Sequence, residues 1–145
     1  MKEITCQFGE HQRLSGILTQ TPASSSSKTL VLINAGLDGR HGPYRLYTHI
    51  ARRAVHQGIP TFRFDLGDIG YSQPGNPGSP LTTRTMNEIR ITLDYLQTTF
   101  GMKKFVLGGF VLEQRIRFDM LKGYPGNGSC HDRPICLPHT RICHA

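Results

Sequence analysis

Apolar positions change period several times along the chain, and each change marks an element. Ile4, Cys6 and Phe8 alternate with polar neighbours, and Leu14, Ile17 and Leu18 carry a second run. Residues 3–8 and 13–19 are therefore predicted strands, with Gly9 and Glu10 in the turn between them. Thr21 to Lys28, with serines at 24–27, is a predicted surface connection. Thr29-Leu30-Val31-Leu32-Ile33 is continuously apolar, as suits a parallel strand covered on both faces. The glycine-rich loop Asn34 to Pro43 follows it.

The period then becomes helical. Pro43 suits a first helical turn, and Leu46, Ile50, Ala51, Ala54 and Val55 give an apolar face, stopped by Gly58 and Pro60. Pro60 to Asp65 is the next strand, and Leu66 to Pro80 is a long loop holding Gly67, Gly70, Gly75 and Gly78. A second helix is predicted over 86–100, with Thr85 and Glu88 as a capping box. Met86, Ile89, Leu93, Leu96 and Phe100 are its buried stripe, and Gly101 ends it. Lys104 to Leu107 is the last strand. The alternation of strand and helix implies an α/β fold with right-handed crossovers and a mostly parallel sheet. That last strand is apolar, so a chain ending its order there would leave an apolar edge.

Beyond Gly109 no period of 2 or 3.6 is sustained. Residues 1–109 form one domain in this reading, and 110–145 are an irregular tail rich in Arg, His, Cys, Pro and Gly. At 145 residues the chain holds one domain at most. No apolar run is long enough for a membrane span, and the N-terminus lacks the apolar core of a signal peptide, which makes the cytoplasm the expected location.

The formal charge is +7. Residues 1–109 hold 12 Lys/Arg against 7 Asp/Glu, and 110–145 hold 5 against 3, so the excess is spread and forms no run. Nucleic acid is not an expected partner on that ground. Cys130, His131, Cys136, His139, Cys143 and His144 could chemically ligate zinc. Their separations are longer than the short paired spacings of structural zinc sites, so neither a metal nor another cofactor is assigned. A small zinc-dependent or basic binding module using this tail is the alternative function.

Three segments carry chemistry. Ala35-Gly36-Leu37-Asp38-Gly39-Arg40-His41-Gly42-Pro43-Tyr44 is a glycine loop between a strand and a helix, where a backbone amide can meet developing negative charge. Asp65-Leu66-Gly67-Asp68-Ile69-Gly70-Tyr71-Ser72 is a second loop after a strand. Phe105-Val106-Leu107-Gly108-Gly109 is a strand ending in small residues, as a strained turn that exposes a nucleophile requires. These segments resemble the N-terminal part of an α/β-hydrolase. The nearest branch is similar to the serine aminopeptidase and monoacylglycerol lipase group, and especially to hydrolases associated with exosortase systems.

The resemblance implies acyl transfer to water on an ester, thioester or amide, by a Ser or Cys nucleophile, on a small-molecule or lipid/acyl substrate. It implies an oxyanion donor at the Leu37 amide, shaped by Gly36, with Ala35 where the branch often has His. It matches Asp65, Gly70 and Ser72 to the family's Asp-x-Arg-Gly-x-Gly-x-Ser, with Gly67 and Asp68 where Arg and Gly are usual. It makes Gly108 and Gly109 the remnant of the nucleophile elbow. Val111 then stands in the nucleophile's place, and it has neither proton to give nor lone pair to attack with. Glu113 is off register. No catalytic Ser, Cys, His or acid is assigned, and the chain as written is expected to be an inactive truncated or frameshifted fragment. Read one base later, codons allowed for Gly109 to Leu112 can spell Gly-Leu-Cys-Ser, a small-x-nucleophile elbow, and the same slip over 122–144 can spell a buried strand followed by a loop. His41 could line a pocket; His11, His49 and His56 read as surface residues.

Overall fold

The computed structural model describes residues 1–22, 28–34, 38–75 and 78–109, with the backbone of 136–137, 140–141 and 143–144. The expected order is observed: β1 (Lys2–Phe8), β2 (Leu14–Gln20), β3 (Lys28–Ile33), α1 (Leu46–His56), β4 (Thr61–Asp65), α2 (Leu81–Phe100) and β5 (Lys104–Gly108). The sheet runs β1-β2-β4-β3-β5. β1 and β2 form an antiparallel hairpin, β2 meets β4 antiparallel, and β4, β3 and β5 are mutually parallel. The strand bounds agree with the sequence reading to within one residue, because two-residue alternation and continuous apolar runs are strong local signals.

The two faces of the sheet differ. Under α2, Phe8, Leu14, Leu18, Val31, Ile33, Phe62, Phe64 and Phe105 meet Ile89, Leu93 and Leu96 of the helix in one buried cluster. Phe8 stands edge-on to Phe62 at 5.7 Å and stacks on Tyr95 at 4.8 Å, the offset and T-shaped arrangements that aromatic rings prefer. Gly16 of β2 makes room for this: a Cβ there would lie 2.4 Å from Cζ of Phe62. Under α1, Tyr47, Ala51 and Val55 are buried, but polar groups share the layer: Ser15, Thr48, Arg63 and Asp65 are buried as well.

Helix α2 begins at Leu81, five residues before the expected Met86. Pro80 is its first cap, has no amide hydrogen to leave unpaired, and its carbonyl accepts from Arg84 N at 3.0 Å. The predicted capping box is therefore absent. Thr85 and Glu88 lie inside the helix, and both are buried. At α1, Pro43 opens a separate 3-10 turn, Pro43–Arg45, rather than the α-helix itself. The face of α1 centres on Tyr47, Ala51 and Val55, while Leu46, Ile50 and Ala54 sit at its margins.

Beyond Gly109 the described backbone forms three two-residue strands. β6 (Cys136–Leu137) pairs antiparallel with β7 (Thr140–Arg141), and β8 (Cys143–His144) pairs antiparallel with β5. Val106 faces His144 and Leu107 faces Cys143, so at these two residues β5 is not the bare edge that the sequence reading expects.

Candidate active site

β3 is the strand at which the chain reverses its course across the sheet. The connection through α1 leads to β4 on one side of β3, and the connection through α2 brings β5 to the other. In open α/β sheets the crevice outside the carboxyl ends of the strands at such a switch point is the usual ligand site. Here that crevice lies between the loop leaving β3 and the end of β5. Gly36 and Leu37, the expected oxyanion loop, lie outside the described residues, as does Val111. Their described flanks are Asn34 and the segment 38–43.

Gly108 and Gly109 close β5 beside β3. At Gly108 a Cβ would touch Leu32 Cδ2 at 3.3 Å, which a side chain could yield to. At Gly109 a Cβ would lie 2.9 Å from the carbonyl oxygen of Ile33, which is backbone and cannot yield. This position therefore accepts nothing larger than glycine without moving β3.

Tyr47 joins the two sides of the crevice. Its side chain comes from the first turn of α1, is 1% exposed, and its hydroxyl comes within 3.7 Å of where a Cβ on Gly109 would sit. The ring lies against Gly42, where a Cβ would be 2.7 Å from Cγ of Tyr47 and where φ is +68°. Glycine is thus required there by both space and backbone. The sequence reading missed Tyr47, although its spacing of four from Ala51 and of eight from Val55 was the available signal.

Asp65 fastens the loops around this floor. It ends β4 and is 1% exposed. Its Oδ1 accepts a short hydrogen bond from the backbone N–H of Arg40; its Oδ2 accepts from the Arg40 guanidinium at 3.2 Å and from Tyr71 N at 3.1 Å. The Arg40 guanidinium also donates to Ser15 Oγ at 2.7 Å and stacks 4.6 Å above the Tyr71 ring. Ser72 donates to the Asp65 carbonyl at 2.7 Å and accepts from Ser15 N at 2.9 Å. The Asp65 carboxylate thereby holds the loop after β3 to the loop after β4, and Arg40 and Ser72 tie both to Ser15 of β2. Gly70 permits the wrap: φ is +59°, and a Cβ would lie 2.6 Å from Oδ2 of Asp65. Asn34, at the end of β3, adds a bond from Leu66 N to its Oδ1 at 2.8 Å.

The two departures in this loop have structural counterparts. Asp68, standing where glycine is usual, has φ +71°, a region an aspartate tolerates better than most residues, and its carboxylate receives Arg84 at 2.8 Å. Gly67, standing where arginine is usual, points its missing side chain at Glu88: a Cβ would be 2.6 Å from Glu88 Oε1 and 3.2 Å from Arg13 NH1. Arg13 fills that space from the start of β2 and pairs with Glu88 at 2.7 Å, while Gly67 N donates to the other carboxylate oxygen at 2.8 Å. Arg40, Arg13 and Glu88 were not singled out as site residues by the sequence, because a charged residue in a loop or amid a helix carries no local mark of burial.

Beneath α1, Arg63 is 2% exposed and donates to Thr48 Oγ1 at 2.7 Å and to Glu3 at 3.3 Å. Burial lowers its pKa; Glu3 opposes that, and Arg40, Arg52 and Arg45 add to it. Across the sheet, burial and a side-chain bond to Cys6 push the Tyr95 phenol up to about 12. Among the described residues no group of three or more His, Cys, Asp or Glu could hold a metal. The side chains of Cys130, His131, Cys136, His139, Cys143 and His144 lie outside the description. His11, His41, His49 and His56 are exposed.

No protein-family model and no curated protein matches the chain. Solved structures do. An alpha-beta serine hydrolase homologue from Coxiella burnetii superposes with a TM-score of 0.62 at 19% identity, over 82% of this chain and 56% of its own. An α/β serine hydrolase without a lid from Xanthomonas campestris gives 0.53 at 14%, over 79% and 52%. A cold-adapted esterase from an Arctic intertidal metagenomic library gives 0.52 at 20%, over 74% and 48%. The described strands and helices thus have the fold of the N-terminal part of an α/β-hydrolase sheet, and the chain spans about half the length of these structures.

Proposed function

We propose that residues 1–109 supply the oxyanion side of an acyl-hydrolase site, for an ester, thioester or amide of a small-molecule or lipid/acyl substrate. The observation that carries this reading is Gly109: it directly follows the strand beside β3, at the switch point, with no room for a Cβ against the Ile33 carbonyl. The Asp65 clamp on the loop after β3 supports it, since such a loop must be held still to present a backbone donor. So do the neighbours, two of which are named serine hydrolases and one an esterase. The branch proposed is that of serine aminopeptidases and monoacylglycerol lipases, with the exosortase-associated hydrolases nearest; its support is the match of Asp65, Gly70 and Ser72 and the loop from Gly36 to Tyr44. The proposed location is the cytoplasm.

The chain as written is proposed to be inactive, since Phe110-Val111-Leu112-Glu113 offers no Ser or Cys after the glycines. Purified 145-residue protein is expected to give no turnover of a short-chain nitrophenyl ester. Turnover above that of a variant lacking residues 35–39 would overturn the inactivity. The frame-slip account is tested separately by sequencing the DNA around and downstream of Gly109: an intact frame with no alternative elbow removes it, and a restored-frame protein should hydrolyse the ester in a way that Gly109→Val abolishes.

A further inference from the structure

Helix α1 gathers basic residues that the sequence scatters. His49, Arg52, Arg53 and His56 are all exposed, and at about 100° per residue they fall within an arc of about 100°. Arg45, exposed at the N-cap, continues the line. The opposite side of the helix, Tyr47, Ala51 and Val55, is buried on the sheet. The stripe is about 16 Å long, from 11 residues at 1.5 Å each.

Four other arginines of the domain are paired, Arg13 with Glu88, Arg40 with Asp65, Arg63 with Glu3 and Arg84 with Asp68, while Arg90 stands exposed on α2. Arg52 reaches Glu3 at 3.4 Å, a carboxylate that Arg63 already shares. The side chains of Arg45 and Arg53 make no hydrogen bond or ion pair among the described residues. The field of the stripe is felt inside the protein, since Arg52 and Arg45 both act to lower the pKa of the buried Arg63. At the end of the stripe Tyr44 is 100% exposed, and both Tyr44 and Arg45 hold positive φ, +51° and +61°. Non-glycine residues in that region are strained, and strain of this kind concentrates where side chains are put to use.

We propose that this face of α1 docks on an anionic lipid surface, with Arg45, Arg52 and Arg53 against the headgroups and Tyr44 at the interface. The helix lies along the sheet with one side buried and presents its basic flank outward. One feature selects a membrane over a nucleic acid. The exposed aromatic beside the cations has the chemistry of an interfacial anchor, apolar in its ring and polar at its tip. No helix among the described residues is long and apolar enough to cross a membrane, so the association is peripheral. The proposal is independent of the hydrolase reading and stands or falls apart from it.

The test is sedimentation of the full 145-residue chain with phosphatidylcholine vesicles, with and without phosphatidylserine. Binding is expected with phosphatidylserine alone and should weaken as salt is added. R45Q/R53Q should lower the affinity about thirtyfold, R45K/R53K should retain it, and R90Q, on the other helix, should leave it unchanged. Because the side chains of Arg45 and Arg53 have no partners among the described residues, the glutamine pair should keep the native circular dichroism spectrum; if it does not, R53Q alone should show about a fivefold loss. Equal binding to neutral vesicles, binding unaffected by the glutamine variants, or tighter binding to a DNA duplex than to the anionic vesicles would each overturn the proposal.

Discussion

The two faces of the sheet do different work with different chemistry. Under α2, shape and apolar area hold the layers: rings interlock, and each contact is backed by several others. Under α1, a few charged groups hold the loops: the Asp65 carboxylate secures Arg40 and Tyr71, and Glu3 secures Arg63. Apolar burial is non-directional, so it stabilises the sheet without specifying where a loop lies. Hydrogen bonds to a buried carboxylate are directional, so they place the loops that border the crevice.

The largest expected effects come from one substitution on each face. Phe62→Ala should cost about 3–5 kcal/mol in urea unfolding, with amide protection falling throughout the sheet. Asp65→Ala should cost a similar amount, about 3–5 kcal/mol, because it leaves the Arg40 guanidinium buried without its partner. Its loss of protection should begin at residues 38–42 and 66–72. If the two variants lose protection in the same order, the distinction between the faces is wrong.

Arg13→Gly should cost about 2–3 kcal/mol by exposing Glu88 as an unpaired buried carboxylate. Gly67→Arg alone should also destabilise, since Arg13 already fills the space. Combined, the two changes return an arginine to the loop, and stability within about 1 kcal/mol of the parent is expected. Failure to recover would show that Arg13 does more than stand in for a side chain at 67.

Gly109→Ala tests the crevice. A cost of about 1–3 kcal/mol is expected from overpacking against Ile33, with protection lost at the ends of β3 and β5 and retained in β1 and β2.

The smallest effect belongs to pH. The Tyr95 phenol sits at about 12 in the folded protein against about 10 unfolded, so the folded state binds its proton more tightly. That contribution is complete below pH 10 and is lost as pH rises from 10 to 12. Tyr95→Phe should flatten this limb relative to the parent; an identical decline in both proteins would assign it to other groups.

The same division explains what could be read from the chain. The apolar face was legible nearly residue by residue, since alternation at Ile4, Cys6 and Phe8 and the run Leu30 to Ile33 report burial directly. The polar face was legible only where a loop pattern or a glycine marked it, as at Asp65, Gly70, Ser72 and Gly109. Arg40 and Glu88 look like solvent residues until their partners arrive, Asp65 from 25 positions away and Arg13 from 75. Thr85 and Glu88 have the spacing of a cap, but Pro80 starts the helix earlier and tertiary pairing claims the glutamate. The stripe on α1 escaped the search for a run of charge because helical spacing separates its members in sequence while uniting them in space.

The position of β3 also bears on how the molecule assembles. Leu30 pairs with Thr61, 31 residues on, but with Val106, 76 residues on. Closing the longer loop costs more chain entropy, so the nearer pairing should form first and the farther one last. β5, which Gly109 follows, should then dock on β3 after β4 has done so. A ligand bridging β3 and β5 would act as a clasp on the latest step of folding, and saturating it should slow unfolding more than it speeds refolding.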